Sequence, residues 1–579
     1  MAVTAAWEAK LEEIREEYQR ARKLIDSESL SDPPTEPYRS KYEAKKILKE
    51  LLELVGQVET DSPRKELVRA LVKYDLGTIA TETDETSLGH ECFEECLAII
   101  GEERYEDPCF CSLAIGALNQ LGVIASGRSD PTGAREFLKR AEAVYARVSA
   151  GDATRVRDPA DCLLAQGQAA RTESGPRNLE RAHTHTLYYL AQVYESLGEA
   201  GMAAMYCHST LKKQLAMGDL DSVDWAVNAA TLSQFFIVRG DFGAGRHHLA
   251  CASHVLQEYA RQLDRDQSSP DQKKDKEETL KHRSADVARC WAKYGLLLLV
   301  ASREEAANRE NGAEDETPSK ARSPHVLVRS PEVAALEAAV TDQLVMDFEG
   351  AKPVFLACQR WLTEAKEYYT LQNHATDYIE IVQESSKLYK ELAHFEPAAD
   401  RRCKMHKRRI DMLEEVLKEV NPRFYLHPCR QVMFELGETY GELMDTKFAS
   451  LPAAVRPNSH AVKKINSLVD KAVRHFSAFL DTLREPDGQF PDSFADELAR
   501  PALVAHFCVG RLHSKKVAQD PREQFANFEK TKVNYEFVQD YCRKVPEHAP
   551  LVKEELEVMA ELLQLIPGTL QNMMSSTLY

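Results

Sequence analysis

Residues 118–141 read LNQLGVIASGRSDPTGAREFLKRA, and this stretch decides the fold. Its bulky and small side chains recur with helical spacing on both sides of residues 127–131, GRSDP. Asp followed by Pro is a strong signal for the start of a helix, so the stretch predicts two helices joined by a turn. The positions that carry the packing pattern are Leu118, Leu121, Gly122, Ala125, Ala134, Leu138 and Ala141. Small residues there let two helix backbones approach each other, as a helical hairpin requires.

The same spacing recurs further along the chain. A second copy begins at Leu187 and a third at Ala229, and a partial copy begins at Met433, where Pro452 interrupts the second helix. Hairpins of this kind, about 34 residues long, are tetratricopeptide units, which stack because one hairpin cannot bury its apolar face alone. We therefore predict an all-α protein, a right-handed α-solenoid of degenerate tetratricopeptide-like hairpins.

Two polar stretches indicate where the array divides. Residues 261–281 and 304–329 have few apolar side chains, so both are predicted to be disordered loops. Between them, residues 278–299 carry apolar side chains at helical spacing and are predicted to form a bridging helix. The predicted organisation is two sub-solenoids joined by this linker helix: an N-terminal one at 1–260, the linker region at 261–330 and a C-terminal one at 331–579.

The composition is that of an acidic protein with enough apolar surface to fold. Of the 579 residues, 43% are hydrophobic and 29% are charged. The net charge of −18 at pH 7 argues against nucleic acid as a partner, because phosphate binding needs a basic face. An acidic surface attracts basic proteins instead, and this attraction weakens as salt is added.

The sequence predicts neither a membrane segment nor a secretory signal. The longest apolar run, at 295–301, is far shorter than the roughly 20 residues that span a bilayer. The N-terminus leads into a Glu- and Arg-rich stretch without an apolar secretory core. Thirteen scattered cysteines, an odd number, indicate free thiols in a reducing compartment, so we expect a cytoplasmic protein without membrane insertion.

The sequence contains no signature of catalysis or of nucleotide binding. Cys92, Cys96, Cys109 and Cys111 are candidates for zinc, but their spacing is not that of a structural zinc site. Buried free cysteines are the favoured interpretation, and the adjacent histidines at 247–248 lack the one-turn spacing of a helical metal site. We therefore predict a binding protein without enzymatic activity, metal or cofactor.

Residues 401–409, RRCKMHKRR, form the one dense basic segment. Cys403, His406, Ile410 and Leu413 are predicted to form the core face of this helix and to leave the cations in solvent. A solvated face paired with neighbouring acids is the favoured interpretation, and a contact with an acidic patch of a partner is the alternative.

The non-core faces of the first helices carry polar, uncharged side chains. In the second copy, Tyr189 and Gln192 are three residues apart and share a face beside the core stripe. In the third copy, Asn228, Thr231 and Gln234 repeat this spacing. First helices line the inside of a solenoid, so these residues are predicted to form a concave stripe suited to partner contact. The alternative is ordinary polar surface.

The same stretches resemble a known family, the KIF-binding proteins, which are tetratricopeptide regulators of kinesin motors. The resemblance is carried by residues 184–194 (THTLYYLAQVY), 206–212 (YCHSTLK), 228–235 (NAATLSQF), 401–410 (RRCKMHKRRI) and 462–466 (VKKIN). These strings occur in the same order as in the family, and the resemblance covers nearly the whole chain.

The resemblance implies a monomeric, cytoplasmic and cytoskeleton-associated protein that binds the motor domains of a subset of kinesins and keeps them off microtubules. In the family, the tubulin-binding helix of the motor lies in the concave groove between two sub-solenoids. The family is tied to microtubule-based transport, neuronal differentiation, axon outgrowth and mitochondrial distribution. The matching inner-face positions here are Tyr189, Gln192, Gln214, Thr231 and Gln234, of which Gln214 comes from the resemblance alone.

A general tetratricopeptide adaptor, such as a cochaperone that captures acidic C-terminal peptides, is the alternative hypothesis. It would need a clamp of Lys, Asn and Arg on adjacent first helices. No matching set of cations surrounds Asn119 or Asn228 in the sequence. We therefore expect a kinesin-motor inhibitor that acts by steric occlusion.

Overall fold

A computed structural model describes residues 2–58, 62–163, 174–218, 220–267, 269–310, 325–451, 460–518 and 520–576. Every regular element within these residues is helical, so the predicted all-α class is confirmed. The α-helices are α1 (Ala2–Asp26), α2 (Arg39–Gln57), α3 (Pro63–Glu82), α4 (Thr86–Ile100), α5 (Cys111–Gly127), α6 (Pro131–Ala150), α7 (Ser174–Ser196), α8 (Ala200–Met217), α9 (Ser222–Val238), α10 (Phe242–Leu263), α11 (Pro270–Glu310), α12 (Pro331–Glu337), α13 (Phe348–Tyr368), α14 (Ala375–Phe395), α15 (Ala399–Glu419), α16 (Leu426–Ala449), α17 (His460–Asp481), α18 (Asp496–Ser514), α19 (Pro521–Lys544) and α20 (Lys553–Ser576). None of the helices in the described part is long and apolar enough to cross a membrane.

The helices form two compact units, Met1–Asp221 and Ser222–Tyr579. In the first unit, α1 pairs with α2, α3 with α4, α5 with α6 and α7 with α8. In the second unit, the main pairs are α9 with α10, α11 with α13, α14 with α15, α16 with α17 and α18 with α19. Each pair also contacts the next pair of its unit, so each unit is a stack of helical hairpins, as the predicted solenoid requires.

The hairpin of α5 and α6 shows why the quoted stretch folds as predicted. The Asp130 side chain accepts a hydrogen bond from the backbone N–H of Gly133 at 2.9 Å and so caps α6, whose first residue is Pro131. Gly122 lies against Leu138, and a Cβ at this glycine would sit 2.7 Å from the Leu138 Cγ. The close approach of the two helices therefore requires glycine at this position.

The later copies pack in the same way. In the third copy, a Cβ at Gly245 would lie 2.5 Å from the side chain of Ile237. In the partial copy, a Cβ at Gly437 would lie 2.7 Å from the ring of Phe476 on α17. The partial copy therefore has a second helix, α17. Pro452, which is predicted to interrupt the second helix, lies outside the described residues.

The structure differs from the predicted linker region. Helix α11 runs for 41 residues and includes residues 270–281, which the sequence analysis assigns to a disordered loop. It also includes residues 304–310 of the second predicted loop, whereas residues 311–324 lie outside the described residues. The prediction was wrong for residues 270–281 because it relied on their polarity. Lys, Glu and Gln are polar, but they also have high helix propensity, so such a segment can form a helix that buries little surface.

Helix α11 is an integral part of the second unit and packs against α9, α10, α13 and α14. Trp291 on its buried face stacks on Trp361 of α13, with ring centroids 4.9 Å apart. The Trp291 indole N–H donates to the Ser253 hydroxyl of α10 at 2.9 Å. The boundary between the two compact units falls after Asp221, before α9.

Helix α15 carries the basic segment, and its buried face includes a cation that the prediction left in solvent. His406, Ile410 and Leu413 are buried as predicted, but Arg409 is only 1% exposed. The Arg409 guanidinium pairs with Glu442 of α16. Burial tends to raise the pKa of the Glu442 carboxyl, but the adjacent cations, Arg409 first, lower it. An arginine can be buried where a carboxylate neutralises it, and helical periodicity within α15 does not reveal an acid on α16.

Candidate partner-binding grooves

A groove of about 500 Å³ opens on the first unit, and we call it the first groove. It is lined by α1, α3, α5 and α7, the first helices of the four hairpins, and by the short segment 158–160. Its polar and aromatic lining includes Tyr18, Arg22, Asp75, Asn119, His185 and Tyr189. The first helices α3, α5 and α7 contact one another in turn, so they form the row that the sequence analysis expects.

The first groove contains a buried carboxylate. Asp75 of α3 is 5% exposed and accepts hydrogen bonds from the Tyr18 hydroxyl at 2.9 Å and from the Arg22 guanidinium at 3.2 Å. Burial raises the pKa of Asp75 to about 6, and the charge of Arg22 opposes that rise. These contacts join α1 to α3 and make this part of the groove polar.

Asn119 joins α5 to α7. Its amide N–H donates to the Ala182 carbonyl at 2.8 Å, and its side-chain oxygen accepts from the Thr186 hydroxyl at 2.8 Å. Asn119 therefore has a structural role and is not free to clamp a peptide carboxylate, as the adaptor hypothesis would require.

Tyr189 and Gln192 lie on one face of α7. Tyr189 is half-buried and lines the first groove, with its ring edge-on to Tyr188 at 5.4 Å between centroids and 6.5 Å from His185. Burial raises the pKa of the Tyr189 hydroxyl, which therefore remains a hydrogen-bond donor at neutral pH. Gln192 is exposed and is not among the residues that line the groove.

Gln214 lies on α8, the second helix of that hairpin. It is half-buried and does not line the first groove. Its neighbour Lys213 pairs with Glu180 at 2.6 Å and donates to the Tyr145 hydroxyl at 2.9 Å, with the ammonium 4.0 Å from the ring centroid. The structure thus brings two of the predicted residues together on α7 and places Gln214 on a different helix.

Thr231 and Gln234 lie on α9, in the second unit. They share a face, three residues apart, and Thr231 is exposed whereas Gln234 is half-buried. The Gln234 amide N–H donates to the Ser233 hydroxyl at 3.1 Å, but its oxygen Oε1 has no hydrogen-bond donor among the described residues. Gln234 therefore holds an acceptor that a bound partner could satisfy.

A groove of about 590 Å³ opens on the second unit, and we call it the second groove. Helices α14, α16 and α18 provide most of its lining. Its lining residues include Glu384, Lys387, Phe434, Glu435, Glu438 and Glu497. Gln383 of α14 donates to Glu435 Oε2 of α16 at 3.1 Å and so joins the two helices.

The sequence analysis did not predict the second groove. Part of the evidence for this groove is present in the sequence. The acidic residues at 380 and 384, and those at 435 and 438, are spaced by three or four residues and so share helix faces. That spacing is common on solvated helices, and only the stacking of three helices shows that these faces meet.

Comparison with known proteins shows the family of this chain. The family model described as "KIF-1 binding protein C terminal" matches residues 223–573. The chain is 37% identical to the KIF-binding protein of Gallus gallus, over 99% of this chain and 98% of that protein. It is 36% identical to the KIF-binding protein of Danio rerio and 34% identical to that of Homo sapiens, each over 96% of this chain and over 96% and 97% of those proteins. This chain belongs to the KIF-binding protein family.

A solved structure in this family, described as "Cryo-EM map of KIFBP", has the same fold. It covers 98% of this chain and 98% of its own, with a TM-score of 0.64 and 29% sequence identity. The KIF-binding proteins and this chain therefore share their helical architecture, and the resemblance found in the sequence is confirmed.

The four cysteines that are candidates for zinc in the sequence lie in or against the apolar core of the first unit. Cys92, Cys96 and Cys111 are buried and Cys109 is half-buried. Burial raises the pKa of Cys96 to about 12 and that of Cys111 to about 11, so these thiols are protonated and unreactive at neutral pH. In the part of the chain that the structure describes, no three His, Cys, Asp or Glu side chains are grouped so as to hold a metal ion.

Proposed function

We propose that this protein binds the motor domains of a subset of kinesins and blocks their attachment to microtubules by covering the surface that microtubules contact. The observation that carries the proposal is that relatives 34–37% identical over 96–99% of this chain are named KIF-binding proteins. Because the similarity extends over nearly the full length of both proteins, a shared binding activity is expected to depend on the shared fold.

The inner face of the first unit supports a partner-binding role. The first groove is lined by four first helices and has room for side chains of another protein. Tyr189 presents a rigid, half-buried aromatic ring there, and such residues contribute strongly to interfaces. Gln192 on the same helix and Gln234 in the second unit offer uncharged polar groups that fix the orientation of a partner.

The charge of the chain supports the same class of partner. A motor surface that binds acidic microtubules is itself basic, and this chain carries a net charge of −18. Opposite charges speed association and give it a dependence on salt. An acidic groove-bearing protein would therefore compete with microtubules for that basic surface.

Such competition would regulate microtubule-based transport. We propose that the protein acts as a monomer in the cytoplasm, in association with the cytoskeleton. Its expected consequences are on axon outgrowth, neuronal differentiation and the distribution of organelles, mitochondria included.

Titration calorimetry of the full chain with purified motor domains from several kinesin families tests the binding step. We expect some motor domains to bind and others not, with affinity that falls when salt is raised from about 50 to about 200 mM. A protein with similar net charge but no helical repeats controls for non-specific attraction. Absence of binding to every motor domain at low salt would exclude the proposed partner.

A further inference from the structure

In the second groove, most of the cations are already engaged. Arg409 pairs with Glu442, and Lys390 pairs with the same carboxylate at 2.9 Å. Arg430 donates to the Thr482 carbonyl at 2.7 Å. These cations are held by partners of their own, and none of them forms a close ion pair with Glu435, Glu438 or Glu497 within the described residues.

Two oxygens in this groove lack hydrogen-bond donors within the described part of the chain. Glu435 of α16 is 8% exposed, and its Oε2 accepts from Gln383 at 3.1 Å while its Oε1 has no donor. On the adjacent α14, Glu384 leaves Oε2 without a donor, although its Oε1 lies 3.6 Å from the Arg289 guanidinium. A carboxylate oxygen shielded from water is unfavourable until a donor reaches it, so this pair points to a ligand that supplies donors.

Among the described residues that line the groove, carboxylates without an ion pair outnumber cations without one. Glu435, Glu438 and Glu497 make no ion pair with the described residues, and Lys387 is the groove-lining cation that is likewise unpaired there. Lys387 and Glu438 are both exposed, so solvent reaches this mouth of the groove. A cationic group that enters from solvent would meet an excess of carboxylates.

Glu384 is half-buried in this groove. Burial raises the pKa of its carboxyl, with the charge of Arg289 opposing the rise. A bound cation would favour the ionised form of this carboxyl.

We propose that the second groove binds a cationic side chain of the partner protein, an arginine in particular, between α14 and α16. The inference rests on the proposed function and adds the chemistry of one contact to it. A guanidinium has several donors in a planar fork, so it can reach carboxylates on two helices at once. Phe434, half-buried in the same groove, offers an aromatic face on which the guanidinium can stack.

The double variant Glu435→Gln with Glu438→Gln tests this site. It removes both carboxylates and leaves no cation unpaired, since neither residue makes an ion pair within the described residues. The matched control is Glu415→Gln with Glu419→Gln, which changes the net charge equally at exposed positions of α15 outside the groove. Should the groove variant fail to fold by circular dichroism, Glu438→Gln alone, at an exposed position, replaces it.

Binding of two probes, a purified kinesin motor domain and a fluorescent penta-arginine peptide, is measured by anisotropy at one ionic strength. We expect the groove variant to bind both probes at least about tenfold more weakly than the control variant, which should match wild type. If the motor domain binds wild type, equal affinity of the two variants for it overturns the inference and leaves the proposed function intact.

If no motor domain binds wild type, the proposed function fails and the peptide alone decides the inference. Weaker peptide binding by the groove variant than by the control would then support a cation site. Equal peptide binding by the two variants, or no peptide binding to wild type, would overturn it.

Discussion

Tyr189 is the side chain on which the proposed contact between α7 and a partner depends most. It is half-buried in the first groove, and its protonated hydroxyl can donate a hydrogen bond at the edge of an apolar ring. Gln192, one turn further along α7, is exposed and can extend the contact. Both residues are uncharged, so we expect them to contribute to the specificity of the contact. The net charge of the chain would instead affect the rate of association.

The double substitution Tyr189→Ala with Gln192→Ala should weaken binding of a kinesin motor domain by at least about tenfold, because a rigid aromatic contact is lost. The far-ultraviolet circular dichroism spectrum should not change, since neither residue is fully buried. Tyr188→Ala is the matched control, because Tyr188 is 45% exposed on the same helix and does not line the first groove. Full-strength binding by the folded double variant would contradict the role of this face.

Arg409→Met should lower the free energy of unfolding by about 3 kcal/mol, because it leaves the Glu442 carboxylate with one cation fewer in a partly buried site. Lys404→Met, at an exposed position of the same helix, should change it by no more than about 0.5 kcal/mol. Denaturant unfolding of the full chain, followed by circular dichroism, measures both. Equal stability of the two variants would mean that the buried pair contributes nothing.

At the scale of the element, the sequence predicts best where the signals are local. The cap at Asp130, the helix start at Pro131 and the small residue Gly122 all lie within one hairpin, and α5 and α6 form as expected. Helix α11 shows the limit of this approach. Its residues 270–281 are polar, and polarity alone does not distinguish a solvated helix from a disordered loop.

Gly437→Ala tests the close packing of α16 on α17. The added Cβ would lie 2.7 Å from the Phe476 ring, so we expect a loss of about 1–3 kcal/mol in the free energy of unfolding. Gly441→Ala on the same helix is the control, since its Cβ would meet only Arg511 and Leu512 at ordinary contact distances of 3.9 and 4.0 Å. There the lower flexibility of alanine should stabilise the helix by up to about 1 kcal/mol.

The melting temperature of the two variants, compared by calorimetry, gives the sign of each change. A rise for both variants would show that the ring of Phe476 moves aside easily. The packing of α16 on α17 would then not require a glycine at position 437.

At the scale of the whole molecule, the candidate sites depend on helices that are far apart in sequence. The second groove combines side chains between residues 380 and 501, from α14, α16 and α18. Periodicity on a single helix identifies a polar face, as it did for Tyr189, but it does not show which faces meet. Gln214, which comes from the resemblance alone, lies on α8 and does not line the first groove, and its contact with a partner stays a prediction.

The first and second helices of the hairpins have different roles in each unit. The first helices line the grooves, while second helices such as α6 and α17 bury the residues that hold the hairpins together. The net charge of −18 belongs to the molecule as a whole and suits a basic partner surface. Together with membership of the KIF-binding protein family, these features lead to one hypothesis: the protein occludes kinesin motor domains.

Microtubule co-sedimentation of purified kinesin motor domains, with and without the full chain and at two salt concentrations, tests that hypothesis most directly. We predict that some motor domains move from the microtubule pellet to the supernatant with the chain, and that less is released at the higher salt. The Tyr189→Ala, Gln192→Ala variant should release less than wild type at equal concentration. If every motor domain stayed on the microtubules while the chain remained in the supernatant, the occlusion hypothesis would be wrong.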